Sequence, residues 1–142
     1  MQDVLEPRVR SLLETVPVGV VATQRRDGRA RQTTVYFVLD GRTIWMSTEA
    51  QRAKALDVGR AGWASLCIVG PAAPYPSVTV EGHAYIQETD IAPITSRIVG
   101  RITGSELPEL AENDLAAAGR VLLAIHIDRV YGASHLPPEG QP

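Results

Sequence analysis

Two hydroxyls and two cations crowd a short stretch of this chain: Ser47, Thr48, Arg52 and Lys54, within Trp45-Met46-Ser47-Thr48-Glu49-Ala50-Gln51-Arg52-Ala53-Lys54-Ala55. A helix beginning at Thr48 is expected, because Thr48 and Gln51 have the spacing of a capping box. The first turn of a helix has free N–H groups and the positive end of the dipole. Arg52 and Lys54 oppose that dipole at a cost of roughly 0.3–1 kcal/mol each, and a bound anion reverses the sign. The pattern suits a phosphate held by two hydroxyls, a guanidinium and an ammonium. It equally describes a capped helix with two solvated cations. Lys54 is the single lysine beside thirteen arginines, which sets it apart from the other cations.

Other side chains with chemical potential are scattered. His83 lies on the polar side of a strand, beside Gly82, and Glu81 precedes that glycine; the glycine itself reads as a point of close backbone approach. His126 reads as structural, and His135 falls in the tail with no role. Trp45, Trp63 and Tyr36 are able to stack on a ring, but large aromatics are usually core. Cys67 is alone, so no disulfide within the chain and no Cys/His metal spacing exist, and its apolar strand marks it as inert core. No nucleophile elbow and no glycine-rich phosphate loop of the usual kinds is present.

Bulk properties bound the function further. The 142 residues suit one domain spanning 1–142, with 44% hydrophobic residues for a core. Net charge is -2, and the basic residues lack interleaved aromatics, so nucleic acid is not an expected partner. The charge is uneven: residues 1–60 carry +3 and the remainder -5. The basic excess peaks at Arg25, Arg26, Arg29 and Arg31, which is either a solvated hairpin tip or an anion groove. No apolar run reaches the roughly 18 residues of a membrane span. No signal-like segment opens the chain, and a cytoplasmic location is expected.

The elements that must position these residues follow from pattern. Asp3 to Thr15 is helical in spacing. Val18 to Gln24, Arg31 to Leu39 and Arg42 to Ser47 read as a three-stranded meander, turned at Asp27-Gly28 and Asp40-Gly41. The helix from Thr48 ends near Gly59 or Gly62. Ala64 to Val69 and Ser77 to Gln87 are strands, separated by a Pro-rich loop. Asp90 caps a helix presenting Ile91, Ile94, Ile98 and Ile102, a short helical piece lies at Leu115 to Ala118, and Arg120 to Tyr131 is the last strand. Residues 135–142, with three prolines, read as a loose tail. Six strands with mostly hairpin connections imply a mainly β (α+β) antiparallel barrel, closed or nearly closed, with short flanking helices.

Four blocks carry a resemblance. They are Val18-Gly19-Val20-Val21-Ala22-Thr23 with Asp27-Gly28-Arg29 and Gln32-Thr33-Thr34-Val35-Tyr36-Phe37; Ser47-Thr48 with Arg52-x-Lys54; Tyr75 with Val78-x-Val80-Glu81-Gly82; and Arg120-Val121-Leu122-Leu123 with Arg129-Val130-Tyr131-Gly132. In this order they resemble the pyridoxamine-5'-phosphate-oxidase-like split-barrel superfamily (the FMN-binding split barrel), and most closely its coenzyme F420-dependent, deazaflavin branch. The resemblance implies a homodimeric oxidoreductase whose cofactor sites lie in the dimer grooves. It places the cofactor phosphate at Arg52 and Lys54, with Ser47 and Thr48 beside them. It lays the ring along the second strand, at Gln32, Thr33, Thr34, Val35 and Tyr36. The substrate is a small electron-poor molecule that receives hydride. FMN is the alternative cofactor, and a non-catalytic flavin, deazaflavin or haem-type carrier the alternative function. True pyridoxamine oxidases resemble one another in a C-terminal tryptophan and basic residues that bind the substrate phosphate; this chain has no tryptophan after Trp63 and ends in a proline-rich tail, which argues against that substrate. If a proton donor is needed, Tyr36 and His83 are the candidates.

Overall fold

The computed structural model describes residues 5–105 and 107–136. The elements run α1 (Pro7–Thr15), β1 (Val18–Gln24), β2 (Ala30–Tyr36), β3 (Val38–Asp40), β4 (Thr43–Glu49), α2 (Ala53–Ala61), β5 (Trp63–Val69), β6 (Ser77–Gln87), α3 (Ala92–Thr103), α4 (Glu112–Ala117) and β7 (Arg120–Ser134). The fold is mainly β, as expected. The start of the expected first helix and all but two residues of the expected loose tail lie outside the described residues.

Seven strands form one antiparallel sheet in the order β2-β1-β5-β6-β7-β4-β3, which curls into a half-barrel consistent with a split barrel. The expected count was six, and the expected meander does not form. The run Arg31 to Leu39 breaks into two strands that end up at opposite borders of the sheet. The cause is visible in the burial: Phe37, Val38 and Leu39 are all buried, so the period-two alternation that keeps a strand on one sheet is lost there. β2 stays with β1, from Val18↔Tyr36 to Gln24↔Ala30, whereas β3 pairs with β4. The Gly28 and Gly41 turns form where expected, each with the positive φ that only glycine adopts freely.

The core fills the inner face of the curl. Val21, Ile44, Met46, Leu66, Ile68, Val80, Leu123, Ile125 and Ile127 are buried there with Phe37, and α1 adds Val9, Leu12 and Leu13. Each such large apolar side chain stabilises the fold by roughly 1.5–3 kcal/mol. A smaller cluster lies outside the sheet, where Ile91, Ile94 and Ile98 of the α3 region pack on Val38, Trp45 and Leu122. Cys67 is a correction: it is exposed. Ala64, Leu66 and Ile68 point inward, so the pleat turns Cys67 outward.

Two expected caps are also absent. Thr48 does not begin a helix; the β4–β7 ladder continues to Glu49↔Arg120 and keeps Thr48 extended and buried. The helix starts at Ala53 with Arg52 as N-cap and no side-chain cap bond. Asp90 does not cap α3, whose N-cap is Ile91. Instead the Glu112 carboxylate, from α4, accepts from the Ala92 N–H.

Candidate functional site

Where the two halves of the curled sheet meet, the β2 border comes against β4 without ladder bonds. A cleft of about 270 Å³ opens there. Its walls are Thr34, Val35 and Tyr36 of β2, Ser47 of β4, Lys54 at the start of α2, Ile98, Val99 and Ile102 of α3, and Arg120 of β7. Five of the residues expected at a site therefore converge: Thr34, Val35, Tyr36, Ser47 and Lys54. β2 is paired only with β1, so its other border presents backbone N–H and C=O groups toward the cleft.

The remaining expected residues divide. Gln32 and Thr33 lie further along β2 and do not line the cleft. Thr48 faces away from it: successive strand residues point to opposite faces, and Thr48 shares the inward face of Ile44 and Met46 while Ser47 points out. Arg52 sits outside the cleft lip, largely exposed, with its Nη2 3.7 Å from Glu49. Tyr36 is at the cleft and exposed. His83 is not: it lies on the outer face of β6, opposite Trp63, stacked on Tyr85 at 5.8 Å. Glu81 lies on the same outer face, opposite Arg129.

One participant was missed. Arg120 donates from Nη2 to Ser47 Oγ at 2.7 Å, and its Nη1 is 3.6 Å from Glu49. It opens the last strand, and only the β4–β7 register carries it to the cleft, so no local spacing announces it. Lys54 is half-buried, and among the described residues it makes no ion pair or hydrogen bond. Burial first, and then the positive charges of Arg52 and Arg120, lower its pKa below the ordinary lysine value. A desolvated ammonium facing two guanidiniums at a helix start is an electrostatic conflict. A bound anion resolves it.

Other cations are already satisfied. Arg97 and Arg101, one turn apart on α3, do not await an anion. Arg97 donates to the Leu39 carbonyl and pairs with Asp40 at 3.3 Å. Arg101 donates to the carbonyls of Phe37, Leu13, Glu14 and Val16, and lies 5.0 Å over the Phe37 ring. Arg31 and Arg60 both reach the buried Asp57, which also accepts from Thr23. At the β1–β2 hairpin, Arg25 pairs with Asp27, whereas Arg26 and Arg29 are exposed and make no ion pair among the described residues. Among those residues no cluster of three or more His, Cys, Asp or Glu is arranged to hold a metal ion. No described helix is long and apolar enough to cross a membrane.

This geometry has relatives. Several solved structures share the fold. The conserved hypothetical protein Rv2991 from Mycobacterium tuberculosis superposes with a TM-score of 0.75 at 24% identity, over 92% of this chain and 86% of that one. A protein named F420 Reductase gives 0.71 at 22% identity, over 86% and 94%. The General Stress Protein 26 of Bacillus anthracis str. Sterne gives 0.66 at 18% identity, over 88% and 90%. No curated protein matches the chain significantly. The family described as Pyridoxamine 5'-phosphate oxidase matches residues 5–133, nearly the whole described chain and every wall of the cleft, and this protein belongs to that family.

Proposed function

We propose that the chain is a coenzyme F420-dependent oxidoreductase that grips the cofactor phosphate in the Lys54 cleft. The observation that carries this reading is Lys54 itself, half-buried, unpaired among the described residues and pressed by Arg52 and Arg120. These residues fit a phosphate: Lys54 and Arg120 supply charge, Ser47 is held in place by Arg120, and Arg52 adds charge at the lip. The open β2 border at Thr34–Tyr36 offers backbone donors and acceptors to a planar ring, and Ile98, Val99 and Ile102 offer it an apolar wall. When bound, the deazaflavin supplies a two-electron hydride donor for a small electron-poor substrate. The protein orients that ring and excludes water from it. Tyr36 is the side chain placed to hand over a proton; His83 of the same chain is too far around the sheet.

The deazaflavin is favoured over FMN by two features: the similarity to a structure named F420 Reductase, and the uncommitted Arg26 and Arg29, which suit a long anionic tail. A homodimer is part of the reading. The outer face of β2, β1 and β5 carries Tyr36, Val18, Val20, Cys67, Val69 and Trp63, all exposed, with Tyr36 paired to Val18 and Val20 to Cys67. Monomeric soluble proteins rarely leave such a contiguous apolar face to water. Tyr36 belongs both to this face and to the cleft, so a second copy seated there borders the site.

Titration with F420 tests the assignment. Saturation at micromolar concentration is expected, and Lys54→Ala combined with Arg52→Ala weakens it at least tenfold. Unchanged binding in the double variant defeats the phosphate assignment. Protein that purifies yellow with bound flavin moves the same site to FMN, and binding without turnover on enones, nitroaromatics or quinones makes the protein a carrier.

A further inference from the structure

Two guanidiniums at and beside the cleft share one carboxylate. Glu49 Oε1 lies 3.6 Å from Arg120 Nη1 and 3.7 Å from Arg52 Nη2. Glu49 and Arg120 are register partners across β4 and β7. Glu49 stands two residues beyond Ser47, on the same outward face of β4. Both ion pairs exceed hydrogen-bonding distance, and Arg52 and Glu49 are exposed to water while Arg120 is partly so, so the contacts are loose and readily exchanged. Arg120 meanwhile keeps a full hydrogen bond to Ser47 Oγ. The carboxylate thus touches the two guanidiniums but not Lys54.

Resting on the anion-site reading above, we propose that Glu49 is a built-in competitor: in the free protein it occupies the Arg52–Arg120 pair, and an incoming phosphate must displace it. Three cations with one internal carboxylate leave two positive charges to recruit a ligand. The ligand class that fits is a phosphate with a second negative charge, either on the phosphate itself or on a carboxylate close by. A singly charged anion gains less from the field and meets the same competitor. The competitor also limits retention, because Glu49 stands ready to reclaim the guanidiniums as the phosphate leaves. The site is thereby set for a cofactor that exchanges.

The test compares wild-type protein with Glu49→Gln, an isosteric change at a partly exposed side chain that leaves the ladder intact. Phenyl phosphate at pH 8 is the probe, followed by calorimetry, with dissociation of F420 followed by stopped-flow fluorescence. Glu49→Gln is expected to tighten phenyl phosphate at least fivefold and to slow F420 release by a similar factor. Equal binding in the two proteins overturns the competitor role and leaves the anion site standing. Weaker binding in Glu49→Gln also overturns it, since Glu49 then orients the arginines rather than competing for them. If neither protein binds phenyl phosphate or F420, the anion-site reading falls, and the role of Glu49 with it.

Discussion

Lys54 ties electrostatics to pH. Its pKa is lowered by burial and then by two neighbouring guanidiniums, so the free protein begins to lose the ammonium at a lower pH than an ordinary lysine does. Phosphate binds the charged form. Affinity is therefore full below the lowered value and declines as pH rises through it. Cofactor titrations across the alkaline range should show this decline, and Lys54→Arg, which keeps its charge, should flatten it. Asp57 works in the opposite direction. Burial alone would raise its pKa, but the bonds from Arg31, Thr23 and Arg60 outweigh it, and the carboxyl is held below its usual value. A folded-state value below the unfolded one means that the unfolded chain binds more protons as pH falls. The contribution of Asp57 is thus complete above the ordinary carboxylate value and is lost as pH drops through the lowered one. Asp57→Asn should cost about 2 kcal/mol at neutral pH and shallow the acid limb of a denaturation profile. Lys54 was legible in the sequence because it is a lone lysine at a strand-to-helix transition. Arg120 was not, because it meets Ser47 from 73 residues away through a register that no local pattern encodes.

At the level of elements, the glycine turns were readable, while breaks, caps and the outward turn of Cys67 were not. Gly82 was read as a site of close approach, and the structure gives the reason. A Cβ there would lie 1.9 Å from the His126 carbonyl oxygen and 2.8 Å from the Asp128 nitrogen. The β6–β7 register shifts beside it, between Glu81 and Gly82, and the Asp128 carboxylate accepts from the His83 N–H at 3.0 Å. Gly82→Ala must push apart two central strands and should destabilise the fold by about 3 kcal/mol, measurable as a lowered denaturation midpoint. The break at Phe37 was illegible for a different reason. Arg31 to Leu39 is one uninterrupted strand-forming run, and only tertiary burial of three consecutive residues divides it. The early helix start at Thr48 failed likewise: a local capping pattern lost to the ladder with β7. Its loss separates the two hydroxyls, so that one serves the cleft and the other the core.

For the whole molecule, the half-barrel leaves one broad face uncovered. Val20 lies at its centre, with Thr34 on one side and Cys67 on the other. Val20→Glu should give a folded monomer by sedimentation, because the position is exposed in the single chain and covered only in the proposed dimer. If the partner completes the cleft, cofactor affinity falls in the same variant. Sequence composition could foresee a small barrel, but not which face it leaves bare, since Val18 and Val20 look like any other strand interior until the pleat assigns them outward.

Arg97 and Arg101 have a bearing on how this sheet meets its surroundings. By bonding the Leu39 carbonyl and the Phe37 carbonyl just before β3, they tie the β3 margin to α3. Among the described residues the opposite margin, at β2, has no such seam, so the sheet is open to extension on that side. A stray strand and the flavin-type ring compete for that same margin. Loading the cofactor should therefore guard the protein against clumping on storage, a benefit unrelated to catalysis.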